Sequence, residues 1–426
     1  MTTRARPRDP SIDLVRAVAV CGVVLGHWLV TPLTASRDGL VASSPLASLP
    51  TLTPLSWLLQ PLGLFFLVGG YLASAGRRAG RGERAWRLGL RRFVLPVAAL
   101  CGGWAVVFAV LAVRGLPQQT VVTTAQLIVS PLCFLGVYLL LPAVTPLARR
   151  LDARFGLAAA LLPAALALLA EAVAATSPSG LAQAVGLTTV VTVWWVPWQL
   201  GTALAAGRRP GRLPSAMLVG VGVLGMAIAV TVFGYPAAGI GVPGAERSNL
   251  LPPSPVALAL AVAQIGLVLL LWQTLHRIAT HPIITRVVTV LSRDAMGILL
   301  LHQSALVVVS LVAARAGVLP GLHTVADDPG WLLLRLAWLP VFALVLLLLL
   351  RLTALGPHRV RRCRGTVPVR EPEITVSSAG AAATSGRPED RGCPAGPDGD
   401  GRPRRERGVC EGESVVTGRL RRESRQ

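Results

Sequence analysis

Three ionisable side chains lie in the first strongly apolar segment of the chain: Asp13, Arg16 and His27. Such groups cost a few kcal/mol within a membrane-spanning segment, so each of them needs an explanation. Arg16 and His27 are eleven residues apart, so on a helix they share one face, about 16 Å apart along its axis. Asp13 precedes Arg16 by three residues and can pair with it. We therefore expect a polar track in one cavity, from an arginine near the membrane surface to an imidazole deeper in the helix.

The chemistry open to these residues is proton transfer and anion binding. Histidine is the side chain whose unperturbed pKa suits proton transfer at neutral pH, and a guanidinium binds the oxygens of a phosphate in pairs. A structural interpretation competes with this one. In it, Arg16 reaches the inner interface along its aliphatic stem, and His27 bonds a neighbouring helix or lies near the outer headgroups.

Later segments carry further polar and aromatic candidates. The run at residues 63–71 combines glycines, which allow a neighbouring helix to approach closely, with Phe65, Phe66 and Tyr71. A slot for a donor chain is the alternative role of those glycines. Asn249 lies in an outward loop whose prolines stop helix formation, where it either binds an acceptor or caps a turn. His302 is either a second polar wall of the cavity or a packed core histidine.

The elements that must position these residues are membrane helices. The chain of 426 residues is 53% hydrophobic, with a mean hydropathy of +0.61, and its apolar runs are long enough to span a bilayer. We predict an all-α polytopic bundle of about ten transmembrane helices. The predicted spans are 12–33, 54–75, 93–113, 121–146, 156–176, 185–206, 213–235, 255–276, 294–314 and 331–352.

The arginines alternate between the two sides of this predicted bundle. Every loop on one side carries three or more arginines, and every loop on the other carries at most one. The positive-inside rule then predicts that both termini are cytoplasmic. It also accounts for the net charge of +21 without a nucleic-acid partner. Arg335, near the outer end of the last helix, is expected to snorkel to the headgroups.

The predicted organisation has three parts. Residues 1–10 form a cytoplasmic N-terminus, residues 11–355 the membrane domain, and residues 356–426 a disordered, arginine-rich cytoplasmic tail. The six cysteines show no spacing typical of a metal site or a disulfide framework. No metal is expected.

Four motifs in order resemble those of integral-membrane acyltransferase family three, bacterial O-acyltransferases related to those that acetylate surface polysaccharides. The first is Asp13 to Arg16 followed by His27. The others are residues 63–71, 248–255 and 297–302. The resemblance covers about residues 10–350, and its specificity comes from the ordered set.

The resemblance implies a cytoplasmic acyl-CoA donor, no bound cofactor, and an acceptor hydroxyl on a carbohydrate or glycolipid at or beyond the bacterial plasma membrane. His27 is then the base that takes the hydroxyl proton, or a transient acyl carrier. Arg16 contacts or orients the donor, and Asp13 fixes the rotamer of Arg16. The expected substrate-binding residues are Arg78, Arg81, Arg84, Phe65, Phe66, Tyr71, Asn249 and His302.

Two other functions compete with acyl transfer. A multispan transporter or flippase of a cell-envelope glycan precursor also places polar residues in spans, but it predicts broken segments in corresponding halves of the chain. A non-catalytic partner in glycan assembly would tolerate loss of His27. The arginines at positions 78, 81, 84 and 87 either bind a donor or mark a cytoplasmic loop, and their register is not defined.

Overall fold

The computed structural model of the chain describes residues 9–78, 82–242 and 247–354, without the side chains of residues 78, 82–93, 179 and 354. Most of the predicted N-terminal part, residues 1–8, and the whole tail predicted for 356–426 lie outside this range. The division into parts at those two points therefore stays a prediction.

Almost all of the described chain is helical, which confirms the all-α prediction. The helices are α1 (Pro10–Val30), α2 (Pro45–Ser48), α3 (Thr53–Leu58), α4 (Leu62–Arg78), α5 (Gly82–Val113), α6 (Gln118–Phe155), α7 (Leu161–Thr176), α8 (Ser179–Ala205), α9 (Arg212–Thr231), α10 (Pro255–Leu270), α11 (Trp272–Ala279), α12 (Pro282–Ala313) and α13 (Gly330–Ala354). Short 3-10 helices cover Pro50–Leu52, Gly156–Ala160 and Ala314–Ala316. One antiparallel hairpin joins β1 (Leu33–Ser36) to β2 (Gly39–Ala42).

Eight helical stretches of the described chain are long and apolar enough to cross a membrane, or nine if α10 and α11, bent by 67°, form one span. One stretch, Gln118–Thr176, has 59 residues and would extend for about 88 Å at the helical rise. That is nearly three times the roughly 30 Å of a hydrocarbon core. The stretch Gln118–Thr176 contains both α6 and α7.

The contacts with α8 show that α6 and α7 are separate crossings. Going along α6, Phe134 contacts Trp194, Thr145 bonds Trp198, and Ala148 bonds Gln199, so α6 and α8 run in the same direction. A link of two residues joins α7 to α8, and these helices pack along each other, so they are antiparallel. Separating α6 from α7 gives nine crossings in the described bundle, or ten if α10 and α11 form one span, against about ten predicted.

The bundle has two ends that differ in charge. The start of α1 meets the later loops there: Asp9 pairs with Arg209, and Ser11 bonds His276. We call this end the arginine-rich face. At the other end, the arginine-poor face, the hairpin after α1 bonds the loop before α13 through Ala35 N–H and the His323 carbonyl, at 2.9 Å.

Glycines allow α4 to pack closely at the centre of the bundle. A Cβ at Gly63 would lie 2.8 Å from the Cα of Ala261, and one at Gly70 would lie 2.8 Å from the Cα of Trp198. Distances this short are not available to a larger residue. The packing role predicted for the glycines of residues 63–71 is therefore confirmed at these positions.

Candidate functional site

His27 lies one turn before the end of α1 and lines a cavity of about 820 Å³, counting the space at its mouth. Thr31 and Gln60 add polar groups to the lining, while Phe65 and Phe134 are apolar walls. Loop residues of the arginine-poor face also line the cavity, which places it at that end of the bundle. A hydroxyl-bearing molecule in this cavity would meet one imidazole in mostly apolar surroundings.

The His27 ring is held from α12. The Nε2 atom of Gln303 lies 3.0 Å from Nδ1 of His27, and the Gln303 side chain is fully buried. The ring of His302 lies behind, with its centroid 5.2 Å from that of His27. His302 Nδ1 donates to the Leu299 carbonyl of its own helix, at 2.9 Å. Consequently His302 is a packed histidine next to His27 and does not line the cavity.

A chain of hydrogen bonds from α13 supports the turn that carries His27. The Nε of Arg335 donates to the Trp28 carbonyl at 2.6 Å, and its Nη1 donates to the Gly321 carbonyl at 3.2 Å. The Trp28 indole in turn donates to the His302 carbonyl at 3.0 Å. Trp28 therefore links α13 to the pair of histidines.

The prediction that Arg335 snorkels to the headgroups is wrong, because its side chain is 0% exposed. Its guanidinium lies 5.0 Å from the centre of the Phe342 ring, a favourable arrangement for a cation. Backbone carbonyls and an aromatic face replace the water that a snorkelling arginine would reach.

The polar track predicted between Arg16 and His27 is interrupted in this structure. Arg16 is half-buried and does not line the cavity at His27. Between them on the same face stand Val20, 1% exposed, and Val23, 8% exposed. The two predicted catalytic residues share a helix face, with the buried apolar side chains of Val20 and Val23 between them.

The ion pair predicted from the spacing of Asp13 and Arg16 is not confirmed. Both side chains are half-buried, and the pairing of Asp13 with Arg16 stays a prediction. The expected role of Asp13 in fixing the Arg16 rotamer stays a prediction.

The three predicted aromatic residues occupy different places. Phe65 lines the cavity, and its ring centroid lies 4.6 Å from that of Tyr138. Phe66 is fully buried and stacks on Trp194 at 4.9 Å. Tyr71 is half-buried and packs against the main core, closer to the arginine-rich face. Of the three, only Phe65 lines the cavity.

Asn249 holds a loop of the cavity rim. Its buried Nδ2 donates to the carbonyls of Pro236 and Ala238, at 2.6 and 2.8 Å, and its Oδ1 accepts from Ser254 Oγ at 2.7 Å. Since these bonds engage both ends of the amide, the geometry favours the turn-capping interpretation over direct contact with an acceptor. The next residue, Leu250, lines the cavity.

The predicted donor-binding arginines are not placed by the structure. Arg81 lies outside the described residues, and so do the side chains of Arg78 and Arg84. Their role therefore stays a prediction.

A second polar cluster lies at the arginine-rich face, around Asp9. Its carboxylate caps α1 by accepting from Ser11 N–H at 3.0 Å, pairs with Arg209, and lies 3.6 Å from His276 Nδ1. Burial alone would raise the pKa of Asp9, but the bonds from Ser11 and the charge of Arg209 outweigh it, and the pKa lies below its ordinary value. The guanidinium of Arg209 also lies 4.6 Å from the centre of the Trp272 ring.

Sequence reasoning identified His27 and missed Gln303 and the inward orientation of Arg335. A glutamine directly after His302 in an apolar run was the available signal for the first. For the second, the sequence offers none, because the rotation of a helix about its axis decides whether a residue near its end faces lipid or protein.

Comparison with known proteins agrees with the membrane architecture. A family model described as "Acyltransferase domain" matches residues 9–354, which is most of the chain. No curated protein and no solved structure gives a significant match.

Proposed function

Because the chain belongs to the membrane acyltransferase family whose domain spans residues 9–354, we propose that it transfers an acyl group from cytoplasmic acyl-CoA to a hydroxyl of a carbohydrate or glycolipid. The observation that carries the proposal is the place of His27, in a cavity at the arginine-poor face with its imidazole bonded by a buried amide. The membrane is the bacterial plasma membrane, with the arginine-rich face in the cytoplasm.

In the proposed reaction, His27 acts as the general base. Its imidazole takes the proton of the acceptor hydroxyl while the hydroxyl oxygen attacks the carbonyl carbon of the thioester. The carbon–sulfur bond then breaks, an ester forms, and the CoA thiolate takes the proton from the imidazolium. The protein is unchanged at the end of the cycle.

The acceptor and the donor enter from opposite faces in this scheme. The cavity at His27 lies at the arginine-poor face and receives the acceptor. Arginines at the opposite face, Arg16 among them, suit the phosphates of acyl-CoA. The buried side chains of Val20 and Val23 lie between the two groups on α1, so the acyl end of the donor passes this part of the bundle to bring the thioester to His27.

The experiment that tests this function compares surface glycans and glycolipids of a deletion strain with those of the parent by mass spectrometry. The proposal expects one acyl mass to be missing in the deletion strain and restored by the intact gene. A transporter would instead reduce the amount of the whole glycan without changing the mass of the molecules that remain. That result, or identical spectra, would contradict the proposal.

A further inference from the structure

Gln303 of α12 bonds the proposed base directly. Its Nε2 lies 3.0 Å from His27 Nδ1, and its side chain is 0% exposed. Within the described part of the chain, His27 is the one hydrogen-bond partner of this amide, and the Oε1 atom is buried without any.

Packing alone does not explain a glutamine at this position. Burying an amide with an unpaired polar atom costs roughly 1–3 kcal/mol by protein mutational data, a cost that methionine of similar length and shape would avoid. The position lies in an apolar helix among buried neighbours such as Ala305 and Leu306. The hydrogen bond to His27 is therefore the feature that accounts for an amide at this position.

His302 is the other residue that could orient His27, since its ring is only 5.2 Å away. However, its Nδ1 proton is engaged by the Leu299 carbonyl of the same helix, and its Nε2 has no hydrogen-bond partner. The described contacts between the two histidines are thus ring packing, whereas the contact with Gln303 is a hydrogen bond.

We propose that Gln303 is a positioning residue: its amide holds the His27 ring through Nδ1 and, when its oxygen faces Nδ1–H, sets the tautomer in which Nε2 is available to the acceptor hydroxyl. An amide suits this task because its two ends differ. With nitrogen towards Nδ1, as in the structure, the amide donates to the ring, and the neutral ring then carries its proton on Nε2. When the amide group of Gln303 rotates so that Oε1 and Nε2 exchange places, Oε1 accepts from Nδ1–H of His27. The lone pair of His27 Nε2 is then available for the hydroxyl proton.

The inference rests on the proposed function, because Gln303 acts through His27. Its test replaces the amide in two ways in the full-length protein, reconstituted in nanodiscs with acyl-CoA and an extract of the native glycolipid acceptors. Gln303→Met keeps the shape and removes the hydrogen bond. Gln303→Glu keeps an oxygen that accepts from Nδ1–H. As a matched control, Ser310→Ala alters another fully buried polar residue of the same helix.

We expect Gln303→Met to lower kcat by roughly 10- to 100-fold, the effect of a misplaced catalytic group, with an unchanged KM for acyl-CoA. Gln303→Glu should recover much of the rate, and Ser310→Ala should retain it. Because Gln303 acts through His27, adding Gln303→Met to His27→Ala should cause no further loss.

A folded Gln303→Met protein with the wild-type kcat would overturn the inference, as would a further loss in the double variant. A Glu variant as inactive as the Met variant, yet with a wild-type melting temperature, would also overturn it. Loss of the proposed function has a different signature: His27→Ala itself would then remain active. The two failures are therefore distinguishable.

Discussion

At the scale of single residues, the site depends on polar groups buried at the end of α1. His27 takes its position from Gln303, and the adjoining turn takes its position from Arg335 through the Trp28 carbonyl. Arg335 is a fully buried cation, and no carboxylate pairs with it among the described residues. The carbonyls of Trp28 and Gly321 and nearby aromatic rings stabilise its positive charge instead. The planar geometry of the guanidinium is therefore important.

Arg335→Lys should destabilise the protein because an ammonium on a single stem cannot reproduce both bonds of the guanidinium, to Trp28 and Gly321. Leaving a buried polar group unpaired costs about 1–3 kcal/mol. The measurement is the melting temperature in detergent, with Arg351→Lys at the exposed end of α13 as the control. Equal melting temperatures for the two variants would show that the Arg335 bonds add no stability.

At the scale of elements, close packing of α4 on α8 holds the aromatic wall of the site in place. Gly70 lies against the backbone of Trp198, and Gly201 of α8 lies against the backbone of α4. Backbone cannot shift as a flexible side chain can, so a methyl group at this contact must separate the helices.

Gly70→Ala should therefore lower stability by about 1–3 kcal/mol through overpacking. Gly76 in the same helix is the matched control, since no described atom beyond its own turn of helix lies within 4 Å of a Cβ built there. On helix propensity alone, Gly76→Ala should be neutral or stabilising by up to about 1 kcal/mol. Thermal unfolding of both variants decides the point: a Gly70→Ala protein as stable as Gly76→Ala would contradict the packing described.

The membrane spans could be predicted from the sequence because hydropathy and length are local properties of each segment. The hairpin of β1 and β2 could not, since it depends on bonds to distant residues, Ala35 to His323 and Leu40 to Thr120. The bend after Leu270 was missed for a similar reason, and the predicted span 255–276 ran through it. His27 and Phe65 were identified by motif, whereas Gln303 required knowledge of which face of α12 meets α1.

At the scale of the whole molecule, the bundle has a polar cluster at each face, and apolar packing separates them. The cluster around Asp9 ties the start of α1 to the α8–α9 link and to α11. It therefore connects helices that are far apart along the chain, and its contribution to stability should depend on pH.

The folded-state pKa of Asp9 is lowered, so its contribution to stability is present above the unfolded-state pKa of about 3.9. This contribution is lost as the pH falls through the lower folded-state pKa of Asp9. Asp9→Asn should thus melt at a lower temperature than the wild type at pH 7, and the gap should narrow below about pH 4. Melting temperatures of Asp9→Asn and of the wild type, measured at pH 7 and below about pH 4, test this expectation. A gap that is the same at acid and neutral pH would contradict an ionic role for Asp9.

In the proposed function, His27 is the base for acyl transfer in the cavity at the arginine-poor face. The most direct test is acyl-ester formation from acyl-CoA by His27→Ala in nanodiscs, compared with His281→Ala, which changes an exposed histidine outside the cavity. We expect the His27 variant to remain folded and to lose at least about 100-fold in rate, while the His281 variant keeps the wild-type rate. Ester formation at the wild-type rate by folded His27→Ala protein would contradict the claim.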